Sequence, residues 1–210
     1  MWLCVKRQLE TSFLLAVVTL AMFSLLTGLF VSSTKATYVE GHVTQNTTWT
    51  LVDSPYVVSK DITVDHTVTL TIEPGVEVRF GGKFTLSVQG TLYAVGMPDR
   101  PITFTSNSLT PQRGDWQGME FQNTSTWSTL DHISVKYATD GIASENGKLT
   151  LRNSEITMSD TNGINIESSQ IVVENSQISS SIVGISITGS NVATVQNNTL
   201  RSNGVGISLN

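Results

Sequence analysis

Four columns of residues return every 22 positions in the last third of this chain: Leu149, Ile171 and Ala193; Leu151, Val173 and Val195; Asn153, Asn175 and Asn197; Ile156, Ile178 and Leu200. A fixed period of this length is the signature of a stacked-repeat architecture. A Gly-Ile pair recurs between the columns, starting at Gly141, Gly163, Gly184 and Gly206, at intervals of 22, 21 and 22. The one-residue slip falls between Ile178 and Gly184, in polar sequence that reads as a loop, and it leaves the apolar columns untouched.

Each unit reads as a short alternating strand, a polar turn, a second strand and an Asn-led corner into a third apolar position. In Gly163 to Glu167 the alternation sends Ile164 and Ile166 to one side and Asn165 and Glu167 to the other. One such coil cannot bury its apolar side, but stacked coils place Ile on Ile at the roughly 4.8 Å spacing of neighbouring strands. Each buried Ile or Val then contributes about 1.5–3 kcal/mol, so stacking drives folding. Asn153, Asn175 and Asn197 are expected to form an inner corner ladder whose amides bond to one another and to the turning backbone.

A leucine-rich repeat also has periods that include 22 and an Asn at a corner. From Gly141 onward, however, the chain has four Leu and two Ala among Ile, Val, Ser, Thr and Asn, and no segment has the composition of a return helix. The fold class expected is all-β, a single-stranded parallel β-helix of about 22 residues per coil. At that period, residues 38–210 make about eight coils.

The middle of the chain carries a resemblance to a known family. It runs through Leu70 to Phe80 (LTIEPGVEVRF), then Leu86, Val88, Gly90, Leu92, Ala94 and Gly96, then Pro101 to Ser106, then Trp116, Gly118 and Phe121. With the repeats, this resembles the right-handed parallel β-helix, or pectin-lyase-like, superfamily of extracellular proteins, over about residues 55–210. The resemblance implies a right-handed coil and speaks to fold far more than to activity. The residues agree with it: Val76, Val78 and Phe80 alternate with Glu77 and Arg79, and Pro74-Gly75, Gly81-Gly82, Pro98 and Pro101 punctuate the strands.

The chain opens with Lys6 and Arg7, an apolar run from Phe13 to Val31, and Thr34-Lys35-Ala36. Residues 1–36 therefore read as a secretory signal peptide or as a retained N-terminal membrane anchor, since the run is long for a signal core and close to a membrane span. Either way the positive start predicts export of the remainder, to the cell surface or beyond. Its one cysteine, Cys4, lies in the leader, so the domain is expected to hold without disulfides. Of 12 basic and 17 acidic residues, Lys6, Arg7, Lys35 and Glu10 leave with the leader, and the domain is near −7. That balance argues against nucleic acid and leaves glycans or other cell-surface proteins as partners. Gly206 to Asn210 read as the first strand of a further coil, so the domain is expected to be C-terminally incomplete.

Residues 22 apart are spatial neighbours in such a fold, so candidate sites are columns. Glu145 and Glu167, with Asp140 and Asn162 at the turns before them, form the one set suited to calcium, set against the ordinary use of Asp-Gly and Asn-Gly in turns. No cofactor other than calcium is suggested. Copper, which some periplasmic β-helix relatives bind, finds no His or Met cluster here. Arg152 and Glu174 should stack as an ion pair.

Leu130-Asp131-His132 resembles a stretch of pectate lyases, but the paired-Arg motif of that family is absent. A polysaccharide lyase or hydrolase would draw on Asp131, Asp140 and Glu145 converging in a lateral groove; the leading reading is instead a structural, adhesive or glycan-recognising module. Trp127, in a Ser/Thr loop, is the ring best placed to stack on a sugar, whereas Trp116 should cover a coil edge and Phe121 should be core. Asn46, Asn123 and Asn197 match the glycosylation acceptor pattern, and only Asn46 and Asn123 are expected to be accessible.

Overall fold

The computed structural model describes residues 35–189 and 192–210. Residues 1–34, which hold Cys4 and nearly all of the leader, lie outside the described residues. Among the described residues no helix is long and apolar enough to cross a membrane.

Among the described residues, twenty-one strands wind into a parallel β-solenoid of about eight turns, with one 3-10 turn at Leu51–Asp53. A representative coil consists of Ile142–Glu145 on a first face, Lys148–Arg152 on a second and Glu155–Thr157 on a third. Each of these strands pairs in parallel with its equivalents one coil earlier and one coil later. The second face is a sheet of seven strands, while the first and third are hydrogen-bonded into one sheet of fourteen. The link is the long strand Tyr56–Val64: Tyr56 to Val58 pair into the third face, and Ile62 to Val64 into the first.

The apolar columns read from the sequence meet in register inside the coil. Leu149 and Ile171, Leu151 and Val173, Ile156 and Ile178, and Ile142 and Ile164 are partner pairs, and all eight residues are buried. The earlier coils carry larger side chains, with Phe80 stacked on Trp116 at 3.9 Å between ring centroids. Trp116 is thus fully buried core and not an edge cover; its indole N–H donates to the Lys136 carbonyl at 2.8 Å, which satisfies the one polar atom it takes inside.

The Gly-Ile column has a steric cause. A Cβ on Gly163 would lie 2.4 Å from Ile178 Cγ2 and 2.7 Å from the Gly184 carbonyl oxygen, and Gly141 is equally crowded by Ile156 and Gly163. The backbone of the first face therefore packs against the Ile of the third, and only a residue without a side chain fits between them.

Corners are the second device. In the later coils they are single residues in the left-handed region: His132, Asn153, Asn175 and Asn197 between the second and third faces, at φ 48°, 49°, 52° and 56°. Asn123, Asn146 and Ser168 at φ 51°, 51° and 48° turn the first face into the second, and Tyr137, Met158, Ser180 and Ser202 at φ 66°, 57°, 58° and 55° turn the third into the first. Asn and Gly tolerate this conformation best. A residue so placed projects its side chain outward, and Asn153, Asn175 and Asn197 are exposed.

The inner polar ladder expected at these Asn residues is displaced by one position. The Ser154 N–H donates to Ser176 Oγ at 3.1 Å, and the Ser176 N–H donates to Asn198 Oδ1 at 2.9 Å. The hydroxyls in turn donate to backbone carbonyls two residues back, Ser154 to Arg152 at 2.5 Å and Ser176 to Glu174 at 2.9 Å. The same device recurs at the other corners, where the Gly147 N–H meets Ser169 Oγ at 3.1 Å and the Ser181 N–H meets Asn203 Oδ1 at 3.0 Å. Amides that leave the strand ladder at a corner are thus satisfied by the inward side chain of the next coil.

Two pairs of substitutions test these devices by urea denaturation. Gly163→Ala should cost about 1–3 kcal/mol by overpacking, whereas Gly206→Ala, with nothing within 4 Å of the added carbon, should be nearly silent. Ser176→Ala should cost about 1–3 kcal/mol by orphaning the Ser154 amide, while Asn175→Gly, one residue away, should cost far less because glycine accepts the same backbone angles.

Candidate functional site

The second-to-third corner is concave. Its exposed Asn column forms one wall and the first outward residues of the third-face strands, Glu155, Gln177 and Thr199, form the other, around an open groove of about 540 Å³. Met97, Pro98 and Pro101, from the loop between Thr91–Val95 and Ile102–Ser106, close one end, next to His132. Glu155, Gln177 and Thr199 are themselves 22 apart, a polar column that was countable in the sequence.

Hydrogen bonding along the groove is uneven. Asp131 Oδ1 accepts from Asn153 Nδ2 at 2.9 Å and lies 2.7 Å from His132 Nδ1. Asp131 is in register with Arg152, 21 residues on, and not with Asn153, because the coil between them is one residue short. Arg152 Nε contacts Glu174 Oε1 at 2.5 Å, the stacked pair that the spacing predicts, and Gln196 Nε2 extends it by donating to Glu174 Oε2 at 2.9 Å. Glu155 is 3.7 Å from Lys136 Nζ and takes Gln177 Nε2 at 3.3 Å. The side-chain amides of Asn175 and Asn197 have no hydrogen-bond partner among the described residues. They stand free at the mouth of the groove.

The three carboxylates considered for catalysis do not converge. Asp131 lies at the second-to-third corner, Asp140 at the third-to-first corner, and Glu145 at the far end of the first face, five residues beyond Asp140 or roughly 16 Å of extended chain. Asp140 Oδ1 is taken up by the coil above, accepting from the Asn162 N–H and Nδ2, both at 2.9 Å, and from the Thr161 hydroxyl. Glu145 and Glu167 are register partners, yet the strand between them and the Asp140 and Asn162 turn keeps the proposed calcium set apart. Among the described residues no three His, Cys, Asp or Glu side chains are grouped as a metal site.

Glu120, which the sequence reading missed, sits between Asp140 and Glu145 on the first face, opposite Ala143. Burial raises its carboxyl above the ordinary range, and Asp140, Asp61 and Glu145 add to the shift. It is offset from Glu145 by one coil and two positions along the strand, so counting in 22s does not find it.

Trp127 is exposed, as expected. Asn46 and Asn123 are exposed too, although Asn46 Oδ1 accepts the Thr69 N–H at 2.9 Å. Asn197, expected to be inaccessible, is also exposed, for the reason given by its backbone angle. His42 Nδ1 lies 2.7 Å from Asp65 Oδ1.

These features define a parallel β-helix protein with a polar lateral groove. Residues 98–210 match the family model described as periplasmic copper-binding protein (NosD), and residues 41–150 match that of a pectate-lyase like β-helix domain. Each match spans more than half of the chain, and the chain belongs to these β-helix families. A stretch of 58 residues is 43% identical to Protein bark beetle of Drosophila melanogaster, covering 28% of this chain and 2% of that protein. The chain therefore spans only a small part of that relative's length. No solved structure gives a significant match.

The donors present do not match the copper named in the first description. Copper sites gather His, Met and Cys around one point. Among the described residues no three His, Cys, Asp or Glu side chains are grouped, and Met97 Sδ lies 3.0 Å from the Arg100 guanidinium, a cation that opposes a second one. The described residues do not fit a copper ion.

The raised Glu120 carboxyl has a signed consequence. Below roughly pH 4 it is protonated in both folded and unfolded chains and costs nothing. As pH rises the unfolded chain ionises first, so stability falls as pH climbs through the raised folded value. Glu120→Gln should therefore stabilise the protein at pH 7 and leave it unchanged near pH 4, measured by urea melts at both.

Proposed function

We propose that this chain is an exported β-helix module that recognises a neutral glycan along the second-to-third corner. The observation that carries the reading is the groove of about 540 Å³ with the unpaired amides of Asn175 and Asn197 at its mouth. An amide offers a carbonyl acceptor and two N–H donors, the complement of paired sugar hydroxyls. Because equivalent groups repeat at roughly 4.8 Å along the stack, a linear chain laid parallel to the axis meets similar partners at each coil.

Charge supports a neutral ligand over an acidic one. Among the described residues no Lys or Arg lines the groove, Arg152 is committed to Glu174, and the domain is acidic overall. Export is supported by the charged and apolar start of the chain, read as a signal or anchor, and by the word periplasmic in the family description. The pectate-lyase-like match does not carry activity with it, since the carboxylates an enzyme would use stand at different corners.

The test is binding of neutral oligosaccharides to the purified protein, compared with Asn175→Gly/Asn197→Gly, which keeps the backbone angles and removes both amides. Loss of affinity by roughly tenfold, equivalent to about 1.4 kcal/mol, is expected. Unchanged affinity in the double variant would exclude the groove.

A further inference from the structure

We propose that Tyr93 and Trp127 form a two-ring stacking platform on the second face that grips a sugar ring of the same glycan; this rests on the glycan reading of the groove. Tyr93 and Trp127 are 48% and 45% exposed, and with Tyr38 they are the exposed aromatic residues among the described ones. Tyr93 projects from Thr91–Val95 between buried Leu92 and Ala94. Its register partner on the next coil is Thr129, and Trp127 stands two positions before Thr129 on the same outward side. One strand spacing across and two residues along put their backbones roughly 8 Å apart.

Trp127 is held in place. The segment from Asn123 to Ser128 is pinned on both sides: the Lys148 N–H donates to Thr124 Oγ1 at 2.7 Å, Lys148 Nζ donates to the Ser125 carbonyl at 3.1 Å, the Thr126 and Thr91 hydroxyls meet at 2.6 Å, and the Leu92 N–H donates to Ser128 Oγ at 3.0 Å. Four bonds to the coils on either side hold the backbone that carries the exposed ring. A backbone segment ordered before binding loses little freedom when a ligand covers it.

The surroundings suit a sugar. The outward column through Tyr93 runs Thr48, Thr71, Tyr93, Thr129 and Thr150, hydroxyls on both sides of the phenol with no charge among them. A pyranose has an apolar C–H face and a rim of hydroxyls; the rings take the face and the threonines take the rim. The platform is continuous with the groove. The strand Ser128–Asp131 starts beside Trp127 and ends at Asp131 and His132, a span of roughly 16 Å. One oligosaccharide can thus cross the second face and enter the corner.

The experiment titrates the full chain with β-1,4-linked oligomers of glucose, xylose and N-acetylglucosamine, reading affinity by calorimetry and tryptophan emission in parallel. Trp127→Ala and Tyr93→Ala should each weaken binding tenfold or more, Trp127→Phe should stay within threefold of the parent, and the emission change on binding should vanish in Trp127→Ala. Unchanged melting temperatures in the variants confirm folding. Binding that survives Trp127→Ala and Tyr93→Ala but is lost in Asn175→Gly/Asn197→Gly overturns the platform and keeps the groove. Binding lost in the aromatic variants but kept in the double Asn variant supports the platform and removes the groove. No binding of any of these oligomers to the parent protein overturns both.

Discussion

The strand amides of a solenoid find their partners one coil away, and at a corner the ladder that supplies them runs out. This protein meets the constraint with a two-residue device: a left-handed residue that turns outward, followed by an inward Ser or Asn that accepts the next amide. The apolar columns would bury little without it, since Ile156 over Ile178 or Leu151 over Val173 stay in register only if the corners between them close the same way in each coil.

The same device separates stability from recognition. The inward Ser154 and Ser176 both accept and donate, although the buried hydroxyl of Ser159, after the corner at Met158, has no partner among the described residues; the outward Asn175 and Asn197 are spared that duty. Asn175 and Asn197 therefore offer free amides to a ligand, and Trp127 is held out by a loop whose hydroxyls are tied to the neighbouring coils. Corners also explain why the three carboxylates considered for catalysis do not converge. Asp131, Asp140 and Glu145 follow one another closely in sequence, but each is delivered to a different corner by short strands that run straight between turns.

Much of this was legible as counting. Columns spaced by 22, the Gly-Ile pairs and the Arg152–Glu174 contact follow from the period, because equal spacing means vertical neighbours. The inward or outward sense of the Asn column did not follow, because a period specifies which residues stack and not which way they point. The small polar residue after each corner, as in Asn153-Ser154, Asn175-Ser176 and Ser180-Ser181, was the signal that could have shown it. Tyr93 was missed as the neighbour of Trp127 because its register partner Thr129 lies 36 positions on, beyond a long inserted loop that breaks the count.

The amino-acid sequence alone determined that the chain stacks, how many residues make a coil and which apolar side chains share a column, since these depend on spacing and on the burial of Ile, Val and Leu. Only the tertiary structure decided which face of each corner meets water, which carboxylates stay apart and where the groove and the two exposed rings lie. Those depend on single backbone angles near φ 50° and on side chains brought together from coils of unequal length. Local preference permits such angles in an Asn or Ser, but the hydrogen bonds of the coils on either side select them.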